Sequence, residues 1–356
     1  MPTKPENEVL EALVNRRYPV SEELWGDFWD RLGSRELRAG EALAFVCVLS
    51  TRMPDGASIA ALLRSLRARN PQPDPPAQTT VNIVGTGGGP STFNLSTASA
   101  FVAAAMGARV IKTGSRAYAS KTGSIDLLDR LGLKLTTSYE QTEEMLQTFG
   151  MACAGPFVYP KELRLLARAI LPFGMKQMGK FFNLVGPFLG AVPVSTQITG
   201  VSDHSVLPMF RELTAEDDSR DYWIVSNELG CDELLSIIDS TVYDSARDEE
   251  LTLKPGDIGL SGGSFDELKP VENIDDTVPN FLGLIGGDGP RGAIESIKLN
   301  AGALAINAGI AEDWPQAFEL ADDAMRRGEP ARLIERMRAH GQQPAAGVAA
   351  GTEPRG

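Results

Sequence analysis

A glycine-rich stretch in the first third of the chain has the residue types of a phosphate-binding loop. It reads NIVGTGGGPSTFNLST from Asn82 to Thr97 and lies between a short apolar run and an alanine-rich one. A loop between a strand and a helix presents backbone N–H groups and the positive end of the helix dipole, which bind phosphate. The alternative is a glycine-rich turn that only needs positive φ angles. The dinucleotide and P-loop motifs do not fit, because Pro90 replaces the third glycine and no Gly-Lys-Ser/Thr triplet follows.

A second stretch, RVIKTGSRAYASKTGSIDLLDRLG, places cations and hydroxyl groups directly after a predicted strand. Such side chains bind phosphate, and ligands of α/β proteins lie at the carboxyl ends of strands. In isolation the same composition would also suit a solvated basic loop. The candidate donors are Lys112, Ser115, Arg116, Ser120, Lys121 and Ser124.

Two adjacent carboxylates, Asp232 and Glu233, follow the predicted strand in YWIVSNELGCDELLS. Mg²⁺ favours a few carboxylates together with substrate phosphates, so these residues are a candidate metal site. The first turn of a helix also accepts acidic side chains, because they lie at its positive end. The residues alone leave both interpretations open.

The elements that must position these residues follow a helical start. From Glu8 to Arg69 the apolar residues recur at three- and four-residue spacing, which predicts amphipathic helices. Four prolines between Asn70 and Gln78 predict an extended linker. Beyond it, short β-type runs such as TVNIV, ARVIK, STQITGV and YWIVS alternate with helical stretches, which predicts an α/β fold with a mainly parallel sheet.

These patterns divide the chain into two domains and a tail. We expect an all-helical domain over residues 1–77, with part of 160–182 packed on it, and a larger α/β domain over 78–340. Residues 341–356 have little to bury, which predicts a disordered tail.

Composition restricts the class of partner. The formal net charge of −13 argues against a general nucleic-acid or anionic-membrane surface. No signal-peptide pattern and no run of about 18 apolar residues occurs, so we expect a cytoplasmic protein without a membrane partner. Cys47, Cys153 and Cys231 are widely separated, which is typical of reduced thiols.

Together these stretches resemble the anthranilate phosphoribosyltransferase family, which belongs with the pyrimidine nucleoside phosphorylases in one superfamily. The resemblance spans nearly the whole chain, including VLEALVNRRYPVSEEL, FFNLVGPF, GCDE and GPRGAIESIKLNAGALAINAG. Several motifs in the right order are more specific than one glycine loop. The resemblance implies a small helical domain beside a larger α/β domain, with the active site between them, and a homodimer.

The resemblance also implies the reaction and its residues. A nitrogen nucleophile would displace pyrophosphate from C1 of the ribose of phosphoribosyl pyrophosphate (PRPP), and charge stabilisation would come from Mg²⁺, Lys112 and backbone N–H groups. The catalytic residues would be Lys112, Asp232 and Glu233. The metal ligands would be Ser96, Asp232 and Glu233. PRPP would be held by Gly85, Thr86, Gly87, Gly88, Asn94, Ser96, Thr97, Lys112, Arg116 and Ser120.

The chain departs from the family where the aromatic acceptor is recognised. The usual Lys-His-Gly-Asn-Arg reads KTGSR here, so Thr113 and Ser115 replace the histidine and the asparagine of the acceptor site. The arginine usual before the FN motif is absent in register. The cations that remain for an acceptor carboxylate are Arg164, Arg168, Lys176 and Lys180. The glycine loop is also one residue shorter than usual, lacks its aspartate, and follows Asn82 where an aspartate is usual.

Three functions therefore fit the sequence. The first is Mg²⁺-dependent transfer of phosphoribose from PRPP to an aromatic or heteroaromatic amine, which need not be anthranilate. The second is a pyrimidine-nucleoside-phosphorylase-like enzyme, which would use inorganic phosphate. The third is a non-catalytic relative that binds a phosphoribosyl ligand or nucleic acid. Retention of Lys112, Asp232 and Glu233 argues against the third, and the first is the function that we prefer.

Overall fold

The computed structural model describes residues 7–114 and 123–342 of the chain. Its first four helices are α1 (Glu8–Asn15), α2 (Glu22–Gly33), α3 (Glu41–Thr51) and α4 (Gly56–Arg67). Three of them begin after a side chain that accepts a backbone N–H of the first turn, namely Asn7, Ser21 and Asp55. The helical start predicted from the apolar spacing is confirmed.

An aromatic cluster holds these short helices together. Phe45 of α3 stacks on Phe28 of α2 with ring centroids 4.1 Å apart, and both rings are buried. Trp29 donates its indole N–H to the Ser65 hydroxyl of α4 at 3.0 Å, so its polar atom is also satisfied. Helices of this length are marginal alone in water, so their stability comes from this packing.

A seven-stranded sheet forms the centre of the α/β part. Its strands are β1 (Thr80–Gly85), β2 (Arg109–Lys112), β3 (Met151–Cys153), β4 (Thr196–Gly200), β5 (Asp221–Asn227), β6 (Ser240–Asp244) and β7 (Glu249–Leu253). The spatial order is β3-β2-β1-β4-β5-β6-β7. The strands from β3 to β5 in this order pair in parallel, and β6 pairs antiparallel with both of its neighbours. The predicted α/β fold with a mainly parallel sheet is confirmed.

Helices connect the strands and cover both faces of the sheet. They are α5 (Leu95–Ala105), α6 (Ser124–Arg130), α7 (Tyr139–Phe149), α8 (Lys161–Ala169), α9 (Met175–Met178), α10 (Lys180–Leu189), α11 (Leu207–Ala215), α12 (Thr277–Ile285), α13 (Arg291–Asn307), α14 (Trp314–Arg326) and α15 (Glu329–Gln342). Phe101 of α5 and Ile297 of α13 are fully buried in one apolar cluster with Val81 of β1. α5 and α13 therefore cover one face.

The helical start packs against the opposite face. Ile224 of β5 lies in the apolar cluster of Phe45, whereas its neighbour Val225 lies in the cluster of α5. Successive residues of a strand point to opposite faces, so this difference places the two clusters on the two sides of the sheet. Leu166 of α8 and Phe181 of α10 join the cluster of Phe45, which brings that segment against the helical start.

Some expectations about organisation stay predictions. The domain boundary between residues 77 and 78 is one of them. The apolar cluster of Phe45 contains residues from both sides of this boundary. The predicted tail lies, from residue 343 onward, outside the described residues. Among the described helices, none combines the length and the apolar character needed to cross a membrane. The cytoplasmic location also stays a prediction.

Candidate active site

Three neighbouring parallel strands end side by side at one edge of the sheet. β1 ends at Gly85, β4 at Gly200 and β5 at Asn227. In open parallel sheets this edge is where ligands bind. The glycine loop, residues 86–94, leads from β1 into α5 as the sequence predicted, and the Thr86 N–H donates to the Gly200 carbonyl at 2.9 Å. The candidate site is therefore built on this edge.

The glycine loop has a backbone that glycine and asparagine adopt most readily. Gly87 and Gly88 have φ angles of 64° and 88°, and Asn94, directly before α5, has a φ of 67°. These angles lie in the left-handed region, where a β-carbon is disfavoured. The positive φ angles that the alternative interpretation, a glycine-rich turn, required therefore occur in this loop. It is compatible with phosphate binding, because the same geometry turns successive N–H groups toward one side.

The carboxylates of Asp232 and Glu233, called the carboxylate pair below, contact this loop and the start of α5. Asp232 Oδ2 accepts the Gly87 N–H at 2.6 Å. Glu233 Oε1 accepts the Ser96 N–H at 2.9 Å, and its Oε2 accepts the Thr92 hydroxyl at 2.6 Å. The structure therefore brings together two groups of candidate residues that lie about 140 positions apart in the sequence.

Two glycines make room for this approach. A β-carbon at Gly85 would overlap the Asp232 carboxylate, and a β-carbon at Gly200 would overlap the backbone carbonyl of Asp232. Both positions therefore need glycine because a side chain would collide with Asp232, and not because of their φ angles. The acidic segment itself is irregular between β5 and β6, so the carboxylate pair does not belong to the first turn of a helix. That alternative interpretation is wrong.

The electrostatics of the carboxylate pair follow from its surroundings. Burial, with the neighbouring Asp232 charge as a second cause, raises the pKa of Glu233 to about 7. Burial also raises the pKa of Asp232, against the opposing effect of the Gly87 N–H. Each carboxylate is therefore costly to ionise here without a compensating cation. A bound divalent ion would supply that compensation.

Lys112, at the end of β2, is turned into the protein. Only 3% of the residue is exposed, and Nζ donates to the carbonyls of Ile83 at 3.0 Å and Thr113 at 2.6 Å. Burial lowers the pKa of Lys112 to about 8, although the charges of Cys153, Glu233 and Asp232 oppose this effect. The ammonium thus ties β1 to the segment after β2 and places a positive charge near the carboxylate pair. Direct contact with PRPP stays a prediction.

The start of α5 supplies the remaining candidates of the donor side. The Ser96 N–H is occupied by Glu233, and Ser96 is half-buried. Thr97 is fully buried, and its hydroxyl oxygen has no hydrogen-bond partner among the described residues. Thr97 therefore faces the protein interior in this structure. Its role as a PRPP ligand stays a prediction.

Ser202 is a site residue that the sequence reading missed. Its hydroxyl donates to the Gly87 carbonyl at 2.6 Å, and its N–H donates to the Thr86 hydroxyl oxygen at 3.2 Å. These bonds hold the first half of the glycine loop against the end of β4. The signal was present, because Ser202 directly follows the predicted strand STQITGV, and parallel sheets place ligand-binding residues beyond the ends of their strands.

The described acceptor-side candidates differ in their contacts and burial. Thr113 is buried, and its hydroxyl accepts the Asn82 amide N–H at 3.1 Å, so it is already satisfied within the protein. Arg164 and Arg168 are exposed on α8. Lys180 forms an ion pair with Asp203 at 3.1 Å. The other predicted phosphate and acceptor residues of this region, Ser115, Arg116, Ser120 and Lys121, lie outside the described residues.

Comparison with known proteins identifies the family of this chain. Residues 77–331 match the model of a family described as glycosyl transferase family, a/b domain. The anthranilate phosphoribosyltransferase of Bacillus licheniformis is 30% identical over 336 residues, which cover 93% of this chain and 97% of the relative.

Solved structures show the same similarity. The crystal structure of anthranilate phosphoribosyltransferase from Thermus thermophilus has a TM-score of 0.78 and 27% identity, covering 93% of this chain and 98% of that one. The enzyme from Saccharomyces cerevisiae in complex with PRPP and Mg shares the fold, with a TM-score of 0.75, 22% identity, and coverage of 93% and 96%. The chain therefore belongs to the anthranilate phosphoribosyltransferase family, a family of phosphoribosyltransferase enzymes.

Proposed function

We propose that this protein transfers phosphoribose from PRPP to the nitrogen of a small aromatic or heteroaromatic amine. The observation that supports the proposal most directly is the contact of the carboxylate pair with the glycine loop and the start of α5. In the reaction, a lone pair on the amine nitrogen forms a bond to C1 of the ribose. The bond from C1 to the pyrophosphate oxygen breaks, and one proton leaves the nitrogen.

The donor set of the site fits Mg²⁺. Asp232, Glu233 and the Ser96 hydroxyl offer oxygen atoms only, which this cation prefers. The described part of the chain has no cluster of three or more His, Cys, Asp or Glu side chains that would hold a metal alone. That fits a cation which takes further ligands from substrate phosphates and water. We expect these three residues to hold Mg²⁺, which when bound would neutralise charge on the departing pyrophosphate.

The protein's own groups would orient the pyrophosphate. Gly87 and Gly88 place backbone N–H groups at the edge of the sheet, and α5 directs its positive end toward the same region. The buried Lys112 ammonium adds positive charge behind the loop, and two of its N–H groups bond to backbone carbonyls. The positive end of α5 and the Lys112 ammonium are in place before the ligand arrives, so they would stabilise developing charge without reorganisation. The Gly87 N–H is bonded to Asp232 in this structure and would become available only when that carboxylate moves.

We propose an acceptor other than anthranilate. The support is the acceptor side of the site, where Thr113 is buried and bonded to Asn82. Lys180, one of the cations expected to meet an acceptor carboxylate, is paired with Asp203. An acceptor whose charged group loses partners that the family usually provides is turned over less well, by a factor that can be large. An aromatic amine without a carboxylate fits these observations better.

A product assay tests the reaction and the acceptor together. The protein is incubated with PRPP, MgCl₂ and a panel of aromatic and heteroaromatic amines that includes anthranilate, and products are identified by mass. We expect a phosphoribosylated amine, with anthranilate turned over far more slowly than the best acceptor. Anthranilate turnover at an ordinary metabolic rate, of order 1–10³ s⁻¹, would disprove the altered acceptor. Phosphate-dependent cleavage of pyrimidine nucleosides, or binding of PRPP or nucleic acid without turnover, would favour one of the two alternatives.

We also propose that the protein is a homodimer, as the resemblance implies. The helical part exposes large apolar side chains, with Val14 60% exposed, Leu171 68% and Phe173 45%. Exposed apolar groups of this size are common at protein interfaces. Analytical ultracentrifugation would test the proposal, and a monomer at micromolar concentration would contradict it.

A further inference from the structure

Asn227, the last residue of β5, uses every hydrogen-bonding group of its side chain within a single loop. The residue is 3% exposed. Its Nδ2 donates to the carbonyls of Cys231 at 3.1 Å and Glu233 at 3.0 Å. Its Oδ1 accepts the N–H groups of Leu229 and Cys231, both at 3.2 Å. One amide side chain therefore closes the loop that carries the carboxylate pair.

The backbone of Asn227 is fixed as well. Its carbonyl accepts the Gly230 N–H at 2.9 Å and lies 2.8 Å from Nε2 of His204. Gly230 has a φ of 67°, which lets the chain turn back toward the strand end. The position of Asn227 is thus set independently of the carboxylates that follow it.

Asn300 of α13 holds the opposite end of the same segment. It is fully buried, and its Nδ2 donates to the carbonyls of Leu234 at 2.7 Å and Ser296 at 2.8 Å. Its Oδ1 accepts the Leu234 N–H at 3.3 Å. Leu234 directly follows Glu233, so the carboxylate pair lies between two backbone sites that buried amides fix.

We propose that Asn227 and Asn300 are positioning residues that hold the backbone of the carboxylate pair beside the glycine loop, so that the carboxylates can take up a divalent cation next to a bound diphosphate. The inference rests on the proposed function, because it concerns the same site. Two adjacent carboxylates repel each other, and the repulsion is strong where water is partly excluded. A loop that was free to relax would move them apart. The two amides prevent this relaxation by holding the backbone on both sides of the carboxylate pair. Among the described residues, neither amide bonds to the glycine loop.

Substitution by aspartate tests this role with little change in size. A carboxylate only accepts hydrogen bonds, so Asn227→Asp leaves the carbonyls of Cys231 and Glu233 without their donor and beside a negative charge. Asn300→Asp does the same to its two carbonyls. The probe is pyrophosphate, titrated calorimetrically with and without MgCl₂. We expect each variant to lose about 10- to 100-fold in Mg²⁺-dependent pyrophosphate affinity, as outer residues of metal sites commonly do.

A matched control lies on the same helix. Asn307 is half-buried on α13, and its Nδ2 donates to the Ala303 carbonyl at 2.9 Å, away from the carboxylate pair. Asn307→Asp should leave the pyrophosphate affinity unchanged. If an aspartate variant does not fold, Asn227→Ala and Asn300→Ala replace it, because they remove the same bonds without adding charge.

The outcomes separate the inference from the proposed function. Folded Asn227 and Asn300 variants that bind pyrophosphate and Mg²⁺ like the wild type, even with a lower melting temperature, would overturn the positioning role. A wild type without Mg²⁺-dependent pyrophosphate binding would overturn the proposed function itself. Hydrogen exchange on the wild type adds a test that needs no variant. The hydrogen-bonded N–H groups of Gly230, Cys231 and Leu234 should be protected nearly as well as β5, and rapid exchange of all three would overturn the inference.

Discussion

The Asp232 carboxylate accepts the backbone N–H of Gly87 at 2.6 Å, and this N–H belongs to the loop that we expect to bind pyrophosphate. The Glu233 carboxylate accepts the Ser96 N–H in the same way, at 2.9 Å. Without a cation, the protein's own carboxylates therefore fill two of the donors that an anionic ligand needs. We infer that a bound cation would draw the carboxylates toward itself and free these N–H groups, which would link metal binding to anion binding.

The first prediction concerns pyrophosphate binding without metal. Replacement of the carboxylate pair by Asp232→Asn and Glu233→Gln removes two negative charges and weakens the competition for the backbone N–H groups. We expect metal-free pyrophosphate affinity to rise about tenfold, corresponding to about 1.4 kcal/mol. We also expect the Mg²⁺-dependent gain in affinity to disappear. Isothermal titration calorimetry in EDTA and then in MgCl₂ measures both effects.

Glu295 offers a control for this experiment. It accepts the backbone N–H groups of Ser261 at 3.0 Å and Gly262 at 2.8 Å, so it makes similar contacts outside the candidate site. Glu295→Gln should leave both affinities unchanged. Metal-free affinity that stays at the wild-type value in the double variant would show that the carboxylates do not compete with the ligand.

The second prediction concerns the space beside Asp232. A β-carbon at Gly200 would overlap a backbone carbonyl, which cannot move without displacing the segment that bears the carboxylate pair. We therefore expect Gly200→Ala to lower the free energy of unfolding by about 1–3 kcal/mol, the usual cost of overpacking. It should also weaken Mg²⁺-dependent pyrophosphate binding. Gly33→Ala at the end of α2, where a β-carbon meets nothing within 4 Å, is the control and should change stability by less than about 1 kcal/mol. Equal stability and affinity for the two variants would contradict this reading of Gly200.

The third prediction is a pH dependence of stability that comes from Lys112. Its pKa is lowered to about 8 in the folded protein, below its value in an unfolded chain. Between these two values the unfolded state binds more protons, so the free energy of unfolding rises with pH. The slope attributable to Lys112 should approach about 1.4 kcal/mol per pH unit. The slope is measured by urea unfolding of the wild type and of Lys112→Met from pH 7.5 to 10.5. Lys161 is exposed, so Lys161→Met serves as the control. Parallel profiles for the wild type and the Lys112 variant would exclude this residue as the source.

The segments of this site could be predicted from the sequence, but the contact between segments that are far apart in the chain could not. The glycine loop could be predicted from local pattern, because an apolar run, glycines and an alanine-rich stretch specify β1, a turn and α5 in order. The acidic segment was also found locally, since Asp232 follows a clear strand pattern. The contact between them could not be derived from periodicity, because Gly87 and Asp232 are 145 residues apart and meet only through the strand order of the sheet.

Other elements lacked a local signal altogether. β3 is only three residues long, and its MAC sequence is too short to show any alternation. Four of the five residues of β7 are exposed. This strand therefore contains charged residues at positions where a buried strand would have apolar ones. The roles of Asn227 and Asn300 were equally hidden, because a buried asparagine is recognised by its hydrogen-bond partners rather than by its neighbours in sequence.

The last prediction concerns the rate of the reaction and its dependence on metal. If the carboxylate pair holds Mg²⁺, Asp232→Asn with Glu233→Gln should keep the fold, since the amides keep the size and most of the hydrogen bonding of the acids. Transferase activity should nevertheless fall by about 10²–10³ in kcat, the usual cost of losing an electrostatic stabiliser of the transition state. More Mg²⁺ should be needed to reach half of the remaining rate, because the two charged ligands are gone. Initial rates against Mg²⁺ concentration, with PRPP and the best amine of the acceptor panel, measure both changes. The same metal curve for an active wild type and the double variant would place the metal elsewhere. Full activity of the wild type in the presence of a chelator would show that the reaction needs no metal.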